Sequence, residues 1–178
     1  MAHILILSAD GFEQSELMEP RKALDAAGHK TTVASLKSGE IKGWKDKDWG
    51  DSVPVDLTVS DVAADDYDAL LLPGGQMNPD ILRMDEGAVA LVKAFGAAGK
   101  PIAAICHAPW LLVEADLVRG KTVTSWPSIR TDLSNAGANV VDEEAVTDGN
   151  LITSRKPEDI PAFNKALLGA LADQTVPA

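Results

Sequence analysis

Three short stretches of this 178-residue chain carry side chains able to do covalent chemistry. GKPIAAICHAPWLLV, ending at Val113, holds the only cysteine, Cys106, followed directly by His107. GFEQSEL carries Glu13 and Glu16, and LLLPGG ends in Gly74 and Gly75. A cysteine on the turn into a helix sees exposed backbone amides, which lower its pKa and favour the nucleophilic thiolate. A carboxyl beside such a thiolate is pushed toward its protonated form and can donate a hydrogen bond to the sulfur. Paired glycines let bare amides face a substrate oxygen, as in an oxyanion hole. Each stretch also has a plainer reading. Free cysteine is among the most buried residue types. Glu13 and Glu16 suit the first turn of a helix, and Pro-Gly-Gly is ordinary turn punctuation.

The elements that would position these residues follow from the hydrophobic pattern. Pro101–Ile105 is an apolar run suited to a strand covered on both faces, and a helical spacing runs from Ala108 to Val118 with Pro109 near its start. Cys106 then sits on the turn between them. Ile4–Leu7, Thr31–Ser35, Asp68–Leu72, Thr122–Ser125, Val140-Val141, Ala145–Thr147 and Leu151–Thr153 read as strands, the last two joined by a tight turn at Asp148-Gly149-Asn150. Helices are predicted over Glu13–Ala27, Asp85–Ala98, Ser128–Ala136 and Pro157–Leu171. Leu17, Leu24 and Ala27 form the buried face of the first, and Pro20 is expected to break it and open a second segment. Lys37–Val59, with Trp44, Trp49 and several glycines, reads as a small hairpin arm. Its tryptophans suit either an interface or a lid over the arm's own core. The alternation predicts an α/β fold, a doubly wound, mostly parallel, flavodoxin-like sheet with helices on both faces, in one domain over 1–178. Such sheets form sites at the C-terminal ends of their strands, where all three stretches lie.

Composition narrows the function classes. The 27 acidic against 16 basic side chains give a formal charge of −11. That balance lacks the basic stripe needed for nucleic acid or an anionic membrane. A single cysteine excludes an internal disulfide, and with 3 scattered histidines it leaves no zinc cluster, so no metal is expected. GxGxxG and the P-loop pattern are absent, and no cofactor is expected. The elbow offers I-C-H where a serine hydrolase would carry G-x-S-x-G. No run is long enough to span a bilayer, and the expected location is the cytoplasm.

GFEQSEL, LLLPGG, GKPIAAICHAP, RGKTVTSWP and the stretch from Asp132 to Asn164 together resemble the PfpI-type group. That group lies within the class I glutamine amidotransferase-like superfamily, which includes the Parkinson-associated protein deglycase. The resemblance covers nearly the whole chain in order. It implies Cys106 as nucleophile on a strained elbow, Glu16 as the carboxyl that hydrogen-bonds its sulfur, and Glu13 on the pocket wall. It implies His107 as the paired histidine, Gly75 and the His107 amide as oxyanion donors beside Gly74, and Trp126 as a pocket-lining side chain. In the group a third, acidic residue reaches the histidine from a neighbouring subunit. Asp80 is the best match, one residue further along than usual, and it implies a homodimer or higher homo-oligomer. The chain has no further histidine after His107, so glutamine amidotransfer is disfavoured. Ser125-Trp126 stands where deglycase-like relatives often carry a histidine. The expected function is a cysteine-dependent stress enzyme acting on small reactive carbonyls or glycated adducts, or on peptide bonds of protein substrates. The alternative is a redox sensor or chaperone using an oxidisable, low-pKa Cys106.

Overall fold

Strand β1 (His3–Leu7) is apolar on both sides, with Ile4 and Ile6 in one buried layer and Leu5 and Leu7 in the other. A strand with no polar face has to lie inside a parallel sheet covered on both surfaces. The computed structural model, which describes residues 1–174, has that arrangement. After the two-residue strand β2 (Phe12–Glu13) and helix α1 (Gln14–Ala26), β3 (Lys30–Ser35) returns parallel to β1. The hairpin β4 (Glu40–Lys45) and β5 (Asp48–Pro54) leaves the sheet, and β6 (Leu57–Thr58) rejoins its edge beside β3. There follow β7 (Ala69–Leu72), α2 (Met77–Leu82), α3 (Glu86–Ala97), β8 (Ile102–Ile105) and α4 (Pro109–Glu114). β9 (Thr122–Val123) and β10 (Asn139–Val140) pair with each other on either side of α5 (Arg130–Asn135). The hairpin β11 (Val146–Asp148) and β12 (Leu151–Ser154) lays β12 parallel against β8, and α6 (Ile160–Gln174) closes the described chain.

The main sheet has the order β11-β12-β8-β7-β1-β3-β6 and is parallel throughout except for β11. Side chains alternate across it with a period of two. Ile4, Ile6, Leu71 and Ile105 meet Leu17 and Leu24 of α1 and Phe163, Leu167 and Leu171 of α6. Leu5, Leu7, Leu70 and Leu72 meet Val92 and Phe95 of α3 and Leu111 and Leu112 of α4. The expected α/β class, the hairpin arm and the tight turn before β12 are all present.

Several local expectations are corrected. α1 runs through Pro20 without opening a second segment. An interior proline costs about 3 kcal/mol. Leu17 and Leu24, buried on either side of it, each recover roughly 1.5–3 kcal/mol, which holds the helix together. Ala27 is exposed because the buried face ends at Leu24. The helix after Cys106 stops at Glu114, not Val118, because Asp116 turns left-handed at φ 53°. The Asp116 and Leu117 amides then bond back to the Val113 and Leu112 carbonyls at 3.0 and 2.9 Å, an ending in which glycine is the usual residue. Only Thr122–Val123 of the predicted Thr122–Ser125 strand is strand, and it lies outside the main sheet. Its continuation is drawn across the sheet instead, where the Thr124 amide donates to Thr153 Oγ1 at 3.0 Å. α2 has no counterpart in the sequence reading.

Phe95 is fully buried between α3 and the sheet. Phe95→Ala is expected to lower stability by about 3–5 kcal/mol, seen as a lower urea midpoint at unchanged slope. A loss below about 1 kcal/mol would contradict this packing.

Candidate active site

Cys106 adopts φ 66°, a left-handed conformation that costs a non-glycine residue roughly 1–3 kcal/mol. Hydrogen bonds on both sides hold it there. The Cys106 amide donates to the Ser154 carbonyl of β12 at 3.0 Å, and the Trp126 amide donates to the Cys106 carbonyl at 2.9 Å. The turn lifts the side chain out of the alternation of β8 and sets Sγ 3.2 Å from His107 Nδ1.

Glu16 approaches from the first turn of α1. It is fully buried, and its Oε1 accepts the Gly74 amide at 3.1 Å. A Cβ on Gly74 would stand 2.5 Å from Glu16 Oε1 and 2.6 Å from Cys106 Cβ, so the carboxyl and the cysteine close on a space only glycine leaves open. Gly75 is left-handed at φ 80°, and a Cβ there would run into the Gly11 carbonyl. The Gly75 and His107 amides face the Cys106 sulfur. Gly74 is set apart from the expected oxyanion role, because its amide is taken by Glu16 and it does not line the cleft.

Electrostatics reverse one expectation. Burial pushes the Cys106 thiol up, although the Gly75 and His107 amides pull the other way. This direction opposes the expected low-pKa thiolate, because α4 has only six residues to present a dipole while desolvation acts on the whole sulfur. Burial, with the Glu13 charge adding to it, lifts the Glu16 carboxyl well above its usual range and favours its protonated form. Among the described residues Glu16 Oε2 has no hydrogen-bond partner. Burial lowers the His107 pKa and favours the neutral imidazole. Burial thus favours the neutral form of all three groups, with His107 Nδ1 within hydrogen-bond distance of the Cys106 sulfur.

Cys106 opens into a cleft of about 710 Å³ lined by Glu13, Gly75, His107 and Trp126. The hairpin adds Trp44 and the turn residues Asp46 and Lys47, and Lys156–Glu158 form the facing wall. Trp44 and Trp49 pack edge to face at 5.4 Å, covering each other on the arm. Trp126 stacks on His107 at 5.8 Å and Trp110 meets it edge-on at 5.2 Å. Asp80 is brought elsewhere: it is exposed on α2 and does not line the cleft. Among the described residues no carboxylate of the same chain hydrogen-bonds the His107 ring. Sequence reasoning missed Lys47, Ser128, Lys156 and Glu158. The proline-punctuated WPS and RKPED turns, each following a strand, were the available signal.

Among the described residues there is no cluster of acidic, histidine or cysteine side chains suited to a metal, and no helix long and apolar enough to cross a membrane. The sequence model of the DJ-1/PfpI family matches residues 2–170. Bacillus subtilis YraA, provisionally named a cysteine protease, is 44% identical over 94% of this chain and 97% of its own length. Deglycase TK1284 of Thermococcus kodakarensis is 44% identical over 94% of this chain and 98% of its own. General stress protein 18 of Bacillus subtilis is 48% identical over 90% of this chain and 92% of its own. A crystal structure of a two-domain Anabaena variabilis protein, containing DJ-1/ThiJ/PfpI-like and ferritin-like domains, superposes with a TM-score of 0.92 at 38% identity. It covers 97% of this chain and 48% of that one.

Because Glu16 holds its proton in the fold and releases it on unfolding, its contribution to stability is complete below its ordinary value of 4.5 and declines as pH rises toward the folded value. Glu16→Gln removes that decline. Urea midpoints from about pH 4 to about pH 8 should shift progressively in favour of the variant relative to wild type. A pH-independent difference would contradict a protonated Glu16.

Proposed function

The chain belongs to the DJ-1/PfpI family, and from that premise we propose a cysteine-dependent enzyme that attacks electrophilic carbonyls, with small reactive aldehydes and glycated adducts as its substrate class. The observation that carries this reading is Cys106 on its elbow, 3.2 Å from His107 Nδ1, at the floor of an open cleft. As the carbonyl carbon approaches, the thiol proton moves to Nδ1 while the Sγ–C bond forms and the C=O electron pair moves to oxygen. The imidazolium then returns the proton to that oxygen, giving a neutral hemithioacetal, so the addition balances without a cofactor. The protonated Glu16 and the Gly75 and His107 amides supply hydrogen bonds that stabilise negative charge on sulfur during the transfer. Relatives named as a deglycase and a general stress protein support the class.

Peptide-bond hydrolysis through the same nucleophile is the second reading. It is favoured by the size of the cleft, far more than a three-carbon aldehyde fills, and by the charged Asp46, Lys47, Lys156 and Glu158 beyond the nucleophile. A free redox sensor is less well supported, since the buried thiol meets only what enters the cleft. A cytoplasmic homo-oligomer, with Asp80 entering a partner's site, belongs to the same proposal.

Wild type should convert methylglyoxal to lactate, Cys106→Ala should not, and His107→Ala should lose about 10²–10⁴-fold in kcat. Equal lactate formation by wild type and Cys106→Ala would overturn the carbonyl reading. Burst acylation by an activated ester, without lactate formation, would favour the peptidase. If Asp80 completes a partner's site, specific activity falls on dilution through the dimer dissociation range, and Asp80→Asn reproduces that loss. Constant activity from a monomer removes Asp80 from the site.

A further inference from the structure

Asn78 is fully buried in the first turn of α2, and among the described residues its side chain bonds only to backbone. Its Oδ1 accepts the Ala9 amide at 2.7 Å, and its Nδ2 donates to the Pro73 carbonyl at 2.9 Å and to the Gly74 carbonyl at 3.3 Å. An N–H facing one end and two carbonyls facing the other settle which way the amide points. Ala9 follows β1 and Pro73 follows β7, so Asn78 ties together the exits of two paired central strands. A peptide group is planar, so holding its carbonyl aims its N–H. The Pro73 carbonyl shares its peptide with the Gly74 amide, which donates to Glu16 Oε1 at 3.1 Å. The Gly74 carbonyl shares its peptide with the Gly75 amide, which faces the Cys106 sulfur. Resting on the reading of Cys106 as nucleophile, we propose that Asn78 is a positioning residue that aims these two successive amides, one at Glu16 and the next at Cys106.

The glycine pair needs such a brace. Neither Gly74 nor Gly75 has a side chain to restrict its backbone, and the space between Glu16 and Cys106 admits none at Gly74. The Gly74 carbonyl also accepts the Glu13 amide at 3.3 Å, so the entry to α1 docks on the same peptide that presents the Gly75 N–H. The brace must offer one acceptor and two donors from a single short side chain. Asparagine supplies that set, whereas a carboxylate has no donor and a leucine of similar shape has neither. An amide also brings no charge into a buried corner beside a thiol and a carboxyl, so it orients both partners without itself titrating. The same anchor seats α2, on which Asp80 stays exposed two residues further on, so the arrangement is compatible with Asp80 entering a partner's site.

The test needs no substrate. Iodoacetamide alkylation of Cys106 is followed across pH in variants whose folding is checked by urea midpoints. The Gly75 amide pulls the Cys106 pKa down, so loosening it should move the alkylation profile of Asn78→Ala to higher pH. At a fixed pH on its rising limb the rate should fall about 10-fold, the equivalent of one lost hydrogen bond. Asn78→Asp keeps the shape and the acceptor. It should be at least as slow where its carboxyl is ionised and has no donor, and recover toward wild type where the carboxyl is protonated and can donate. Wild-type alkylation profiles in both folded variants would overturn the proposal. So would Asn78→Asp matching wild type at every pH while Asn78→Ala is slow, since filling the space would then suffice. Wild type carries a check that needs no variant. Scalar coupling across the hydrogen bond from Asn78 Nδ2 to the Pro73 carbonyl carbon should be observed by NMR, and its absence would equally overturn the proposal. Absence of carbonyl turnover with the Asn78 effects intact would count against the proposed reaction alone.

Discussion

The hydrogen bonds that grip the Cys106 backbone on both sides are the constraint on which the site depends. A left-handed cysteine is unfavourable by itself, and two neighbouring segments hold it through the Ser154 carbonyl and the Trp126 amide. Those partners are not incidental. Ser154 ends β12 and leads directly into the Lys156–Glu158 wall, while Trp126 roofs His107 and leads to Ser128. The wall has its own brace, since Arg155 makes a paired contact with the buried Asp159 at 2.9 and 3.0 Å. Cys106, His107 and the cleft are therefore set by one small set of backbone contacts at the C-terminal edge of the sheet.

Burial is the second organising effect, and it determines protonation. The same desolvation that raises Cys106 and Glu16 lowers His107, so each group favours its neutral form. A neutral thiol and a neutral imidazole in contact can exchange a proton without first separating charge. In the proposed reaction, activation belongs to the moment of attack, when His107 would take the proton and Glu16 with the two amides would meet the charge that develops on sulfur. Reactivity is confined to what enters the cleft, which suits an enzyme better than a general sensor of oxidants.

Much of this was legible in the residues. The β-α alternation follows from short apolar runs separated by helical spacing, and Cys106, Glu16 and Gly75 could be brought together because a doubly wound sheet collects its strand ends at one edge. Gly74 was legible as a glycine position but not in its role, since only the packed structure pairs its amide with Glu16. The effect of burial on Cys106 was not legible, because desolvation depends on atoms far away in sequence. Ser128, Lys47 and Lys156 escaped for a related reason. They sit on turns with no periodic pattern, and their relation to the site exists only after distant segments are packed.

The central claim is that Cys106 forms the covalent bond to the carbonyl. Brief exposure of the protein to methylglyoxal, followed by rapid quench and peptide mass spectrometry, tests it most directly. The account predicts an adduct of one aldehyde on the Cys106 peptide that forms within the dead time and decays with turnover, and that is absent in Cys106→Ser. Adducts found only on lysine and arginine side chains, with the Cys106 peptide unmodified while the aldehyde is consumed, would contradict it.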